Sequence, residues 1–418
     1  MFKMKKSFTV VDMFCGAGGE STGIMQAAEE QGVKVSLCAI NHWEKAIETH
    51  SANHPAANHL CQSVEHIDPV KVIPGHKLSL LWASPECTHH SLARGGRPRS
   101  EQSRASAWLV LKWLSELYVE RVIIENVVEF LSWGPLDAAG KPIKSQKGKT
   151  FRAFIASIQS LGYAVDWRIL CAADYGDPTT RQRLLIQAVK GRKRIAWPEI
   201  THIDGGASLM GYQSWRPARD IIDWSTPGKS IFGRKKPLAD NTLKRIASGI
   251  EKYWKGYANP FLAVLYGASN VGSLDMPLST ITGEGAHHAL IEPFLLPNEG
   301  FYRGNPPRSV DQPLSTITAS RGFGALIQPF ITRYQGSHSG QKDGENRNHA
   351  IERPLPCVDT SNFHLDIRFR MLKNHELIKA HSFPDNYVLK GNAKEQTKQI
   401  GNSFPVKTAW ALIKSIMN

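Results

Sequence analysis

Four short stretches of the sequence place reactive or ion-pairing side chains at the boundary of an apolar run. Asp12-Met-Phe14-Cys-Gly16-Ala17-Gly18-Gly19 follows a strand-like segment and opens a helix-like one. Glycines in such a turn let the backbone approach a nucleotide-like ligand closely. The GxxxxGK[ST] phosphate loop is missing, which argues against ATP or GTP. Ala83-Ser-Pro85-Glu86-Cys87-Thr sets a thiol just past the buried-looking Leu78–Ala83. That cysteine is a candidate nucleophile, although a structural cysteine is the commoner reading of such a residue alone. Glu125-Asn126-Val127 follows Val-Ile-Ile, where a carboxyl is poorly placed for packing and well placed for acid–base work. In Thr180-Arg181-Gln-Arg183 the two guanidiniums alternate along an incipient strand and can grip a carbonyl or phosphate.

The elements around these stretches alternate. Continuous apolar runs at 8–14, 33–40, 78–83, 122–124, 165–170 and 184–189 predict strands buried on both faces. Helical spacing at 20–30, 44–50, 107–118 and 151–161 fills the intervals, the pattern of an α/β domain with a largely parallel sheet. After Val189 the chain turns rich in Pro, Gly, Trp and Tyr, with short β-type runs. Pro277-Leu-Ser-Thr-Ile-Thr282 recurs as Pro313-Leu-Ser-Thr-Ile-Thr318, and Ala289-Leu-Ile-Glu-Pro-Phe294 is echoed by Ala325-Leu-Ile-Gln-Pro-Phe330. So few copies suit duplicated β-rich arms rather than a solenoid, with pure scaffold as the plainer alternative. Helical texture returns at Arg368 and closes with 406–417.

The 418 residues carry a formal charge of +14, and residues 1–189 hold 21 basic against 18 acidic side chains, so the excess lies mostly later. Dispersed basic surface points to a polyanion partner. No apolar run reaches the roughly 18–20 residues of a spanning helix, and Asp12 interrupts the signal-like start. The six cysteines, at 15, 38, 61, 87, 171 and 357, are too scattered for a zinc knuckle or small disulfide framework. Reduced thiols in a cytoplasm are the expectation. The pairs His89-His90 and His287-His288 are expected on surfaces or loops, with no metal site.

Taken in order, the glycine turn, Cys87, Glu125-Asn126-Val127, Arg181-x-Arg183 and Gly401-Asn402-Ser403 form a set that resembles the DNA cytosine-5 methyltransferases, over about 7–195 and 366–418. Phe369-Arg370-Met-Leu and His381-Ser-Phe-Pro-Asp385 resemble the segment that this family places before its last motif. The resemblance implies a doubly wound, mostly parallel sheet of the S-adenosylmethionine-dependent methyltransferase type, with an inserted β-rich target-recognition domain. The expected organisation is a catalytic, donor-binding domain at 1–195, a recognition domain at 196–365 with its repeat at about 260–360, and a closing segment at 366–418.

It further implies methyl transfer to carbon 5 of a flipped-out cytosine in double-stranded DNA, through a covalent bond between Cys87 and C6. Glu125, Arg183, Arg181 and Asn126 then join Cys87 in the chemistry. Asp12, Phe14, Gly16, Ala17, Gly18, Gly19, Trp43, Asn402 and Ser403 match the donor site. Ser91 with Arg94, Arg97, Arg99 and Arg104 would close over the DNA. A monomer of bacterial or phage type, in the cytoplasm or nucleoid, is expected, and a cognate restriction endonuclease is a candidate partner. A transfer-RNA methyltransferase and a catalytically impaired DNA-binding relative are the alternatives left open.

Four positions depart from the family pattern. Glu86 replaces the proline before the cysteine, His42 and Gln62 replace acids near the donor, and Thr179 replaces a glutamine before the arginines. A carboxylate at Glu86 should disfavour the neighbouring thiolate.

Overall fold

Among the described residues, seven strands make the principal sheet. They are β1 (Ser7–Met13), β2 (Lys34–Asn41), β3 (Asn58–Cys61), β4 (Lys77–Ala83), β5 (Tyr118–Asn126), β6 (Ala164–Cys171) and β7 (Gln182–Val189). Their spatial order is β3-β2-β1-β4-β5-β7-β6. Every adjacent pair runs parallel except those of β7, which is antiparallel to both β5 and β6. The computed structural model describes residues 7–85, 106–137, 141–205, 211–232, 234–253, 261–264, 271–281, 283, 288–297 and 363–417.

Strand order reverses between β1 and β4. In open α/β sheets ligands bind at this switch point, outside the carboxyl ends of the strands. Those ends are Met13, which enters the glycine turn, and Ala83, which leads to Pro85.

Helices cover both faces. On one side α4 (Leu109–Glu116) and α5 (Lys149–Ser160) bury Val110, Trp113, Leu114, Phe154, Ile155 and Ile158 against Val11, Met13, Leu81 and Val122. On the other, α1 (Gly19–Glu30) and α9 (Val406–Met417) bury Ile24, Ala27, Ala409, Leu412 and Ile413 against Val10, Leu80, Trp82 and Ile123. Alternate strand residues thus serve opposite cores, which is why the strands read as unbroken apolar runs. Each such side chain stabilises the fold by about 1.5–3 kcal/mol relative to exposure. Shorter helices, α2 (Glu44–Asn53), α3 (Pro69–Val72), α7 (Asn374–Ala380) and α8 (Ala393–Asn402), surround the carboxyl edge.

The sequence spacing misses β3, a short edge strand too polar to stand out. It also truncates β5: the strand is nine residues long because Glu120 and Arg121 leave the core face. Glu120 pairs with Lys77 and Lys193, and Arg121 Nη1 donates to the Arg194 carbonyl.

The chain folds into two compact units. One comprises 1–222, 275–287 and 373–418, and contains the seven-stranded sheet. The other comprises 223–274 and 288–372. Its described part is an antiparallel sheet of β8 (Lys229–Ser230), β9 (Phe261–Val264), β10 (Val271–Ser273), β11 (His288–Pro297) and β12 (Phe363–Met371), ordered β8-β12-β11-β9-β10. Ile246 of α6 (Asp240–Tyr253) packs with Ala289, Ile291 and Ile367. His288 is a correction to the sequence expectation: it is buried at the start of β11, because that strand lies in the interior of its sheet. His89, His90 and His287 lie outside the described residues.

Asp177 fastens α9 to the principal sheet. Fully buried, it accepts hydrogen bonds from Thr408 N (2.9 Å), Thr408 Oγ1 (2.7 Å) and Lys407 N (3.3 Å). Burial nevertheless pushes its carboxyl up to about 6. Asp177→Ala should cost about 2–3 kcal/mol, because buried donors at the helix start lose their acceptor. Denaturant unfolding would show it. The raised value means that this carboxyl's contribution is complete below about pH 4 and is lost as pH rises through 6. Asp177→Asn should therefore flatten the native decline in stability between about pH 4 and 6.

Candidate active site

The glycine turn is built by backbone constraint. Phe14, Gly16 and Gly18 all have positive φ, at 66°, 51° and 82°. Cys15 N donates to Ile40 O, binding the turn to β2, and Gly18 N donates to Cys15 O, closing it. Among the described residues a Cβ on Gly16 would meet only Phe14 O within 4 Å, at 3.8 Å, which leaves room for a ligand to approach the backbone there. Gly19 differs: its Cβ would collide with the Phe404 carbonyl, so the turn and the segment after Asn402-Ser403 touch through bare backbone. Trp43 precedes α2, and Lys398 of α8 lies over its ring at 4.4 Å from the centroid. Asn402 ends α8 and is exposed. Ser403 is buried, bonded to Ile400 O and to His381 Nδ1 at 2.9 Å.

Further residues hold the turn from behind. The Tyr387 hydroxyl donates to the Ala17 carbonyl. His54 meets Thr22 Oγ1, and His50 meets His59 Nε2 at 2.9 Å. Burial pushes His50 well below the ordinary imidazole range and His54 down to about 4, so both are neutral supports at pH 7. His42 and Gln62, two of the atypical positions, are exposed.

Across the switch point stands an ion pair. Glu125, next to last in β5, meets Arg183 of β7, with Nε 2.8 Å from Oε1. Both side chains are largely buried, at 14% and 12% exposed for Arg183 and Glu125. Asn126 Nδ2 donates to Pro85 O (3.4 Å), tying β5 to the segment that carries the cysteine. Arg181 goes elsewhere: buried, it donates through Nη1 to Ile281 O at 3.1 Å. The first copy of the repeat thus contributes to the site. Its Leu278 exchanges backbone hydrogen bonds with Pro178 and Thr180, and its Ile281 holds Arg181. His381, pushed well below the ordinary range by burial and by both arginines, joins Ser403 to this region.

Asp12, next to last in β1, is fully buried and accepts the Ser21 hydroxyl. Burial pushes its carboxyl up to about 7. Glu20, at the start of α1, is raised well above its usual value by burial and then by Asp12. Sequence reasoning missed Glu20, Tyr387 and the histidines. Glu20 alone carried a signal, as an acid inside an otherwise small-residue turn.

The structure therefore gathers Asp12, Phe14, Gly16, Ala17, Gly18, Gly19, Trp43, Asn402 and Ser403 on one side, and Glu125, Asn126 and Arg183 on the other. Glu86, Cys87, Ser91, Arg94, Arg97, Arg99 and Arg104 lie outside the described residues. Among those described, no group of three or more His, Cys, Asp or Glu could hold a metal ion, and no helix is long and apolar enough to cross a membrane.

The sequence matches the family model of the C-5 cytosine-specific DNA methylases over residues 8–207 and 307–418. It is 30% identical over 205 residues to the type II methyltransferase M.AgeI of Thalassovita gelatinovora, spanning 47% of this chain and 43% of that one. The type II methyltransferase M.SacI of Streptomyces achromogenes is 26% identical over 48% of this chain and 52% of its own. The chain thus spans about half the length of the curated relatives it matches. A crystal structure of a mutant DNMT2 from Spodoptera frugiperda superposes with a TM-score of 0.55 at 14% identity, covering 98% of this chain and all of that one, a likeness of fold.

Proposed function

Since the chain belongs to the C-5 cytosine-specific DNA methylase family, we propose that it transfers a methyl group from S-adenosylmethionine to carbon 5 of a cytosine flipped out of double-stranded DNA. The observation that carries this reading is the Glu125–Arg183 pair, set across the switch point from a glycine turn that leaves its backbone open. An orphaned acceptor on the buried Asp12 and the aromatic Trp43 beside that turn suit a cationic adenosine compound.

Asp12, Phe14, Gly16, Ala17, Gly18, Gly19, Trp43, Asn402 and Ser403 would hold the donor, which supplies an electrophilic methyl when bound. Carbon 5 of cytosine is too weak a nucleophile to take it unaided. The Cys87 thiolate adds at C6 and pushes electron density to C5. Glu125 offers a proton or a hydrogen bond at ring nitrogen N3, and Arg183 holds Glu125 in place while its remaining donors face the base oxygen. Asn126 fixes the approach of the cysteine segment through Pro85, and Arg181 braces the same edge through Ile281. After methylation a base removes the C5 proton and the thiolate leaves. None of this can occur inside the stacked duplex, so the base is extruded.

The second compact unit, 223–274 and 288–372, overlaps most of 196–365 and is the candidate recognition domain. Ser91, Arg94, Arg97, Arg99 and Arg104 would contact DNA around the extruded base. Neutralising these four arginines should lower the slope of log affinity against log salt by about 3–4 and leave site choice unchanged. A nitrocellulose-filter titration across salt concentrations would measure both.

Radiolabelled methyl transfer to duplex DNA and to transfer RNA tests the reading directly. Transfer to DNA, with an adduct trapped on 5-fluorocytosine duplex, is the expected result. Transfer to RNA alone would replace the substrate, and DNA binding without any adduct would replace the enzyme by a binding relative. A cognate endonuclease, a monomeric state and a bacterial cytoplasmic or nucleoid setting complete the proposal.

A further inference from the structure

Glu20 has no part in the chemistry above, and its burial needs an explanation. It is 2% exposed beside Asp12, which has no exposed surface at all. Asp12 Oδ1 and Glu20 Oε2 are both buried, with no hydrogen-bond partner among the described residues. Among the described residues neither carboxyl forms a salt bridge. The charged and titratable groups facing Glu20 are Asp12 on β1, Glu125 on β5, the Cys15 thiol in the turn and the Tyr387 phenol. None of these favours a negative charge. Two backbone N–H groups do, those of Glu20 itself and of Phe404. Among the described residues, Arg183 is engaged with Glu125 and Arg181 with Ile281 O. Two neighbouring acids buried without a cation are costly, and folds retain such pairs where a ligand compensates them.

We propose, on the donor assignment made above, that Asp12 and Glu20 form a cation subsite for S-adenosylmethionine, receiving the positive charge of its sulfonium or its α-ammonium. Glu20 opens α1 directly after the glycine turn and feels the charge of Glu125, the carboxylate assigned to the base. Near neutral pH the pair retains a proton, because burial and mutual repulsion raise both carboxyls. The incoming cation replaces that proton, which passes to solvent. Methyl transfer removes the sulfonium charge, and a proton taken from solvent restores the pair. Donor affinity should therefore rise with pH from about 6 to 8, and a subsite that reads the sulfonium would hold donor more tightly than product.

Titration calorimetry of the full chain at pH 7, in two buffers of different ionisation heat, tests this. The ligands are S-adenosylmethionine, S-adenosylhomocysteine, and the analogue in which an amine-bearing carbon replaces the sulfonium. Proton release on binding the donor is expected, with affinity about tenfold weaker and release abolished in Glu20→Gln. Loss confined to the donor and the amine analogue assigns the recognised charge to the sulfonium position. Loss shared by all three ligands assigns it to the α-ammonium. Unchanged affinity and proton count in Glu20→Gln would overturn the subsite, as would a native chain that binds donor with no proton release. A native chain that binds none of the ligands sinks the donor assignment itself, and the subsite with it. Folding has its own check: removal of an uncompensated buried acid should raise the melting temperature at pH 8, for Glu20→Gln and for Asp12→Asn alike.

Discussion

Cys87→Ser should bring methyl transfer to duplex DNA below detection, a loss on the order of 10⁴-fold or more, with no change in melting temperature. A hydroxyl at neutral pH is almost wholly protonated and a far weaker nucleophile than a thiolate, so addition at C6 fails at its first step. The surrounding frame explains why a neighbour cannot take over. Ser84 N is bound to Met13 O and Pro85 O accepts from Asn126, so the chain leaves β4 at a fixed place between the glycine turn and Glu125. Glu125→Gln should cost less, about 10²–10⁴-fold, since the amide can still hydrogen-bond the ring while its acid–base function is lost. The two substitutions act on one step, so their effects should not add. Single-turnover transfer of labelled methyl, paired with adduct trapping on 5-fluorocytosine DNA, measures both. Activity in Cys87→Ser within tenfold of native would exclude the covalent route.

Gly19→Ala should destabilise the unit that holds the seven-stranded sheet by about 3 kcal/mol and remove the proposed donor binding with it. The added methyl would meet backbone, the Phe404 carbonyl, and behind it the Phe383 ring at 3.3 Å. Backbone cannot rotate away as a side chain tip can, so the turn and the Asn402-Ser403 segment must separate. Gly32→Ala is the matched control: its φ is +63° but nothing lies within 4 Å of the new Cβ, which leaves only backbone strain of about 1 kcal/mol. Thermal unfolding and a donor titration on both variants would separate collision from strain. Equal losses in the two would refute the close approach.

These two glycines also show where reading the sequence succeeds and where it stops. The turn was legible because local pattern marks it: an apolar run, then glycines, then helical spacing. Glu125 and Arg183 were legible for the same reason, each standing at a strand boundary. Partnerships over distance were not. Tyr387 reaches Ala17 across 370 positions, and Ile281 reaches Arg181 across 100. Nothing near Tyr387 in the chain announces a bond to the glycine turn, and a duplicated Pro-Leu-Ser-Thr-Ile segment reads as scaffold until its carbonyl is found holding a guanidinium. Asp177 was invisible likewise, since its partners lie 230 positions away in α9. Short polar β3 and the charged start of β5 escaped because edge position and surface ion pairs replace apolar character there.

The placement of α9 has a consequence for synthesis. Its Ala409, Leu412, Ile413 and Ile416 complete the core on which β1 and α1 rest, and the preceding Phe404 abuts Gly19. A nascent chain emerging at about 5–20 residues per second therefore leaves Val10, Leu80, Trp82 and Ile123 only partly covered, by Ile24 and Ala27, until residues 406–416 emerge. A chain truncated before residue 406 should bind a hydrophobic dye and lose its cooperative unfolding transition.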